Sequence, residues 1–441
     1  MVDRLAVVVG PGAGASTSSD GGAGLLRRSH LDSGLRVVTE RLPGLRSVAV
    51  GFWVGTGSRD EATPLAGASH FLEHLLFKGT EGRQAHDIAE AVESVGGDMN
   101  AFTGQEVTAY YVRVPDRHLG LALDILSDIV WSPALRPDEV ESERQVILEE
   151  IRMRDDQPDD LVHEAFAGAL FDGHPLGREI AGSFDTIGAM TRDAIAEYHG
   201  AHYVPSNVVV AVAGNLDHDD VVAQIERALP GVAGTRPPRA NGVGASTALP
   251  VALLERPLEQ AHLVLGVRAL PQDDPDRFAL AVLDQVLGGG MSSRLFQEVR
   301  ERRGLAYSVF SYRSAYRDTG AFAVYCGTAP EHVEEVLALV RGELARVVAD
   351  GGITDRELDN AKGHLAGSMA LSLESSSSRM HRIGRAELTL GEIPTIDEVV
   401  AEVEAVDAAD VARVVERVLA PGGHTLAAVG PVGALDLGEP A

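Results

Sequence analysis

The stretch Ser69-His70-Phe71-Leu72-Glu73-His74-Leu75-Leu76-Phe77 lies in a helical segment expected from about Ala66 to Phe77. Two histidines at i and i+4 share one helical face, so both imidazoles can reach one ion. Zinc takes imidazole and carboxylate ligands, and a catalytic site keeps one position open for water. Glu73, one residue before His74, is placed to act as a general base. In the plainer reading, His70 and His74 are surface residues and Glu73 is a solvated charge. A later helix, Arg277 to Leu287, has Leu280, Leu283 and Asp284 where the first has His70, Glu73 and His74. Only the first helix can hold a metal.

That pairing of helices extends in both directions. Strands expected at Leu35–Thr39, Ser47–Val54, Asn100–Thr103 and Thr108–Val114, helices at Arg117–Val130 and Pro137–Arg154, and a buried strand at Ser206–Ala213 make up a first series. The second series repeats the order: His262–Val267, Tyr307–Ser311, Gly320–Cys326, Glu331–Val348, Asp355–Leu373 and His424–Val429. β-branched runs mark the strands, and helices alternate with them. A Gly- and Pro-containing stretch without periodicity separates the two series. The fold class is therefore α+β: two homologous α/β-sandwich domains, each a mixed sheet packed with helices. Residues 1–28 are expected as a flexible tail, 29–230 as the metal-binding domain, 231–249 as the linker and 250–436 as the inactive copy.

The third ligand is sought on the helix from Pro137. Glu143 and Glu150 lie two turns apart on one face, with Val146 and Ile147 close to that face. A carboxylate pointing into a core is costly unless paired or bound to metal. Glu150 is thus expected as the third ligand and Glu143 as its supporting carboxylate, whereas Glu149 reads as a surface charge.

Composition narrows the function classes. The chain has 441 residues, 45% hydrophobic and 23% charged, with net charge −27. Such a surface repels phosphates, so nucleic acid is not an expected partner. Cys326 is the single cysteine, which rules out an intrachain disulfide. No run approaches the roughly 20 apolar residues that span a bilayer. No export segment is evident either, and the expected location is cytoplasmic, with no membrane partner.

The segment Gly67–Thr80, with its H-x-x-E-H order, resembles the signature of the pitrilysin family of zinc metallopeptidases, the inverzincins. The match is closest to the β-type subunits of the mitochondrial processing peptidase and their bacterial homologues. Gly97–Thr103, Glu143–Glu150, Tyr203–Asn207, Ser293–Arg300 and Gly304–Tyr307 resemble further family motifs in the same order. The resemblance runs from about Leu35 to Val432. It implies one Zn2+ per chain on His70, His74 and Glu150, Glu73 as base and Glu143 supporting a ligand. It implies that Arg300 and Tyr307 of the inactive copy reach the substrate and the developing oxyanion. It also implies that Asn100, Ala101 and Phe102 form an edge strand for substrate, with Phe77 and Phe102 lining a pocket beside the metal. The glycine-rich loop Gly288–Ser293 is short for the family. The chain would be half of a clamshell chamber, completed as a homodimer or with an inactive paralogue. Its substrates would be extended peptides or presequence-like segments, basic ones suiting the acidic surface. The rival expectation is a non-catalytic peptide-binding or core-type subunit.

Overall fold

The structure is a computed structural model that describes residues 17–21, 24–229, 231, 234–239 and 248–432. Along the chain come β1 (Thr17–Gly21), β2 (Gly24–His30), β3 (Arg36–Arg41), β4 (Ser47–Val54), α1 (Ala68–Leu76), α2 (Ala85–Glu93), β5 (Asp98–Thr103) and β6 (Thr108–Pro115). Then follow α3 (Leu119–Trp131), α4 (Pro137–Asp155), α5 (Pro158–Leu170), α6 (Phe184–Ala189), α7 (Arg192–His202), β7 (Val208–Gly214) and α8 (His218–Ala228). The second series holds β8 (Val251–Glu255), β9 (Ala261–Ala269), α9 (Arg277–Leu287), β10 (Ala306–Ala315), β11 (Gly320–Thr328) and α10 (Val333–Asp350). It ends with α11 (Asp355–Ser372), α12 (Ser376–Thr389), α13 (Ile396–Ala405), α14 (Ala408–Val414) and β12 (Thr425–Gly430). No helix among the described residues is long and apolar enough to cross a membrane.

Two sheets carry the fold. The first has the order β1-β2-β3-β7-β4-β6-β5 and the second β10-β11-β9-β12-β8. Read from one end, β5-β6-β4-β7-β3 and β10-β11-β9-β12-β8 are the same arrangement, down to the parallel pairs β3–β7 and β8–β12. The duplication thus holds at the level of topology. β7 is Val-rich and buried throughout, as a central strand covered on both faces must be. β5, at the sheet edge, alternates exposed and half-buried residues.

The compact units are not the two contiguous halves expected. One comprises residues 1–149, 180–240 and 371–396, and the other 150–179, 241–370 and 397–441. The reason is an exchange of helices. In the first unit, Met380 and Ile383 of α12 pack on Val38, Trp53, Val209 and Ala211. In the second, Val162, Phe166 and Leu170 of α5 pack on Val264, Ala323 and Val429. Each helix shields one sheet face from water. The opposite face of the first sheet meets α3, with Phe52 edge-on to Trp131 at 6.3 Å. The opposite face of the second meets α9, α10 and α14 through Leu283, Val340 and Val414.

The expected tail is also shorter than residue 28. β2 pairs antiparallel with β3 from Leu25↔Arg41 to His30↔Arg36, so residues 24–28 belong to the sheet. The tail up to residue 16, most of the expected linker and residues 433–436 lie outside the described residues. β8 is a strand that the sequence pattern did not reveal.

α12 is fastened to the first sheet by buried charges. Glu40, 4% exposed, receives Arg379 at 2.5 Å and Arg382 at 3.7 Å. Glu387 on α12 receives Arg28 and Arg36. Removing one cation from a buried pair leaves its carboxylate poorly compensated. Arg379→Ala is expected to lower unfolding free energy by about 3 kcal/mol, measured by urea titration; a loss below 0.5 kcal/mol, on the order of a surface pair, would contradict this account.

His218 gives a pH signature. Its ring nitrogens bond Ser29 Oγ at 2.8 Å and Thr39 Oγ1 at 2.9 Å in a buried site. Burial, reinforced by the Arg27 charge, pushes its pKa down to about 4 from 6.5. The unfolded chain therefore takes up this proton first as pH falls. Stability should decline between pH 6.5 and 4 by up to about 3 kcal/mol. Urea unfolding across that window should show a shallower decline for His218→Gln than for the parent.

Candidate metal centre

Helix α1 begins with a fixed geometry. Gly67 has φ +96°, and a Cβ there would lie 2.6 Å from Ile187 Cδ1 and 2.7 Å from the Ala181 carbonyl oxygen. Only glycine suits both the left-handed backbone and the space. Glu61, 4% exposed, accepts from Gly67 N at 2.8 Å and Ser69 N at 2.7 Å. A carboxylate there satisfies orphan amides and complements the helix dipole. Ser69 Oγ bonds Tyr198 OH at 2.9 Å, tying α1 to α7. Phe71, Leu72, Leu75 and Leu76 are buried, which leaves His70, Glu73 and His74 half-buried on the opposite side.

The two imidazole rings sit 4.8 Å apart between centroids. One ligand atom each from His70, His74 and Glu150 lie within 4.8 Å of one another, the only such group among the described residues. Glu150 comes from α4, which runs unbroken across the boundary between the compact units. Glu143, two turns earlier on α4 and buried, places Oε2 3.1 Å from His74 Nδ1. That bond leaves His74 Nε2 for a metal and fixes the ring. Lys78 Nζ holds the other Glu143 oxygen at 2.6 Å. Burial, with a smaller contribution from His74, pushes the His70 pKa down to about 4, so its imidazole is neutral near pH 7, the form that binds metal. The chemistry of the donor set fits zinc: two imidazoles and one carboxylate, a carboxylate-supported histidine, and three protein ligands where a catalytic zinc takes three.

Glu73 Oε2 accepts from Thr103 Oγ1 at 2.6 Å. Thr103 is the last residue of β5, so the base is tied directly to the edge strand. Beneath lie the buried hydroxyls of Tyr110 and Tyr203, 2.8 Å apart. Burial raises both phenols' pKa, and the Glu73 charge adds to it. Phe77 packs against Tyr110 at 6.1 Å.

The remaining expected residues are placed as follows. Asn100, Ala101 and Phe102 do lie on an edge strand, which pairs with β6. Alternation along β5 sends Phe102 to a different face from Thr103. Its ring meets Trp53 at 5.7 Å, His381 at 6.2 Å and Tyr111 at 6.4 Å. Arg300 lies on a π-helical turn, Phe296–Glu301, rather than a regular helix, and its guanidinium covers the Tyr307 ring at 4.6 Å. Tyr307 is 80% exposed. In α9, Leu280 and Leu283 are buried, while Asp284 accepts from Ser311 Oγ and Arg313. The second copy has thus used its three positions for packing and an ion pair.

Sequence reasoning missed Glu61, Thr103 and Lys78. Lys78 follows His74 at i+4, a spacing that could have flagged it. Thr103 carries no local signal because its partner is 30 residues away in sequence, and Glu61 reaches the first turn of α1 from six and eight residues upstream, outside the usual N-cap spacing.

A model of the insulinase family, peptidase family M16, matches residues 36–183. A model of the peptidase M16 inactive domain matches residues 189–365. An uncharacterized zinc protease of Streptomyces coelicolor is 46% identical over 418 residues, 93% of this chain and 91% of that protein. The chain belongs to peptidase family M16. An uncharacterized zinc protease of Bacillus subtilis is 40% identical over 395 residues, 87% of this M16 chain and 93% of that protein. Among solved structures, a protease from Helicobacter pylori superposes with TM-score 0.83 at 25% identity, covering 92% of this chain and 99% of that one. The first M16 match spans α1 and Glu150, and the second spans α9.

Glu143→Gln keeps the shape of the side chain but removes the charge that orients His74. Zinc affinity, measured by competition with a chromophoric chelator, should fall about 10- to 100-fold with helix content unchanged. Unaltered affinity would show that Glu143 does not support the ligand.

Proposed function

We propose that this M16 chain is a zinc-dependent endopeptidase acting on extended peptides. One observation carries the reading: His70, His74 and Glu150 converge, while Glu73, beside a ligand, is hydrogen-bonded to the end of an open edge strand. The relatives named as zinc proteases support it.

His70, His74 and Glu150 would hold a zinc ion, which would supply Lewis acidity to a carbonyl oxygen and to a water. Glu73 removes a proton from the attacking water and delivers it to the departing amine. Thr103 keeps that carboxylate turned toward the edge strand. Glu143 and Lys78 hold His74 in place. The backbone of Asn100, Ala101 and Phe102 pairs with substrate as an added strand, which reads main chain rather than side chains. Phe77 and Phe102 receive flanking side chains. Tyr307 donates to the oxyanion and Arg300 contacts the substrate, roles suited to an exposed phenol carrying a stacked guanidinium. The chain would act within a closed chamber as a homodimer, or with an inactive paralogue, in the cytoplasm. Its net charge of −27 favours basic, presequence-like peptides of the kind that processing peptidases take.

A second reading, a non-catalytic peptide-binding subunit, draws on the match of residues 189–365 to an inactive domain. Glu73→Gln separates the two. The parent should cleave a peptide panel, basic members fastest, and lose cleavage to a chelator. The variant should bind zinc like the parent and cleave about 10²- to 10⁴-fold more slowly. A parent that binds peptides without cutting them supports the second reading, and a variant as fast as the parent removes Glu73 from its role.

A further inference from the structure

The segment expected to be a plain linker contributes a buried arginine to the first unit. Arg239 donates from Nε to Asp60 Oδ1 at 2.7 Å and from Nη2 to Asp60 Oδ2 at 2.8 Å. Its Nη2 also lies 3.2 Å from the Gly55 carbonyl and 2.8 Å from the Glu106 carbonyl, and Nη1 lies 3.3 Å from Glu106 Oε1. The three side chains are 11%, 4% and 10% exposed for Arg239, Asp60 and Glu106. A buried guanidinium shared by two carboxylates and two carbonyls is a built anchor, unlike a surface ion pair of small value. Three residues earlier, Arg236 approaches Asp60 at 3.7 Å.

The two loops that Arg239 joins lead to the metal centre by separate routes. Asp60 precedes Glu61, whose carboxylate closes the first turn of α1. Glu106 lies in the β5–β6 turn, three residues after Thr103, which holds Glu73. The loops also touch directly, through Ser58 N to Gly104 O at 3.2 Å and Arg59 N to Gln105 O at 2.8 Å. Arg59, 2% exposed, adds a 2.7 Å bond to Glu106. The position of helix α1 along β5 is therefore set at one small polar knot.

We propose that Arg239 is a positioning residue for the metal centre: residues 234–239 form a strap that fixes helix α1 against the edge strand. The inference rests on the zinc-peptidase reading. An anchor of this kind affects where His70, Glu73 and His74 point, not only how stable the fold is.

The test compares zinc affinity of the purified full chain and its variants by chelator competition, at a temperature where circular dichroism shows each apo protein folded. Arg239→Ala should weaken zinc binding about tenfold, as loss of an outer support does, and lower kcat with KM little changed. Ethylguanidinium in the buffer should restore part of the affinity. Arg27→Ala, which removes the Arg27–Asp219 pair at 2.8 Å elsewhere in the same unit, should bind zinc like the parent and show no rescue. Arg239→Lys keeps the charge but loses the planar fork, so it should bind zinc at least about threefold more weakly than the parent. That variant decides the matter if Arg239→Ala does not fold. Parent-like zinc affinity in folded Arg239→Ala, or in Arg239→Lys where the alanine variant does not fold, overturns the strap. Failure of the parent to bind zinc overturns the zinc reading itself.

Discussion

The two oxygens of Glu61 close the first turn of helix α1. Everything chemical in the first unit depends on that closure. A helix of nine residues has too few internal hydrogen bonds to be stable alone. Its apolar face is buried, but apolar packing is forgiving about rotation and slide. Directional bonds are not. Glu61 fixes the start of the helix, Ser69 ties its flank to Tyr198, and Thr103 fastens Glu73 to β5. His74 is held from the far side by Glu143 on α4. The candidate ligands of α1 and the carboxylate beside them are thus oriented by buried polar contacts from four separate elements, each with low tolerance for displacement.

Duplication sets a candidate metal centre on one sheet and a copy that lacks its side chains on the other. Both units place a helix after the same strand, β4 or β9. In α1 the positions facing away from the core are imidazole and carboxylate; in α9 the matching positions are buried leucines and an ion-paired aspartate. A metal site needs polar side chains that are partly open to water, whereas packing needs apolar ones that are not. The same scaffold cannot satisfy both at one position, and the two copies have resolved it in opposite ways.

What could be read from the sequence follows the range of each interaction. His70, Glu73 and His74 are legible because the helix period alone brings them to one region. Glu143 and Glu150 are legible as a pair for the same reason, and the cost of an inward-facing carboxylate made Glu150 the expected third ligand, an expectation the family resemblance shared. Thr103 and Arg239 are not legible, since their partners are distant in sequence, and Glu61 is not because it caps α1 from outside the usual N-cap spacing. The strand order of the second sheet followed from the first, yet β8 is only five residues long and carries no period-2 alternation of apolar and polar residues to mark it as a strand. The contiguous domain boundaries failed for a related reason. The amphipathic patterns of α5 and α12 announce a buried face but do not say which sheet covers it.

That exchange of helices has a consequence for how the chain becomes stable. The face of the first sheet that includes Trp53 and Ala211 is covered by residues 376–389, which are made long after the strands they cover. Among the described residues, the cations paired with Glu40 in β3 are Arg379 and Arg382 of that helix. Until α12 arrives, the sheet would expose apolar surface on one side and hold a carboxylate whose partners are more than three hundred residues away in sequence. Contacts of such separation are slow to form, because loop closure must be met before they contribute. The buried ion pairs then serve register more than strength: a purely apolar α12 could bind the face in several rotations, whereas Glu40 and Glu387 accept it in one. Selectivity of docking, more than net free energy, is the physical reason for placing charges in a covered sheet face.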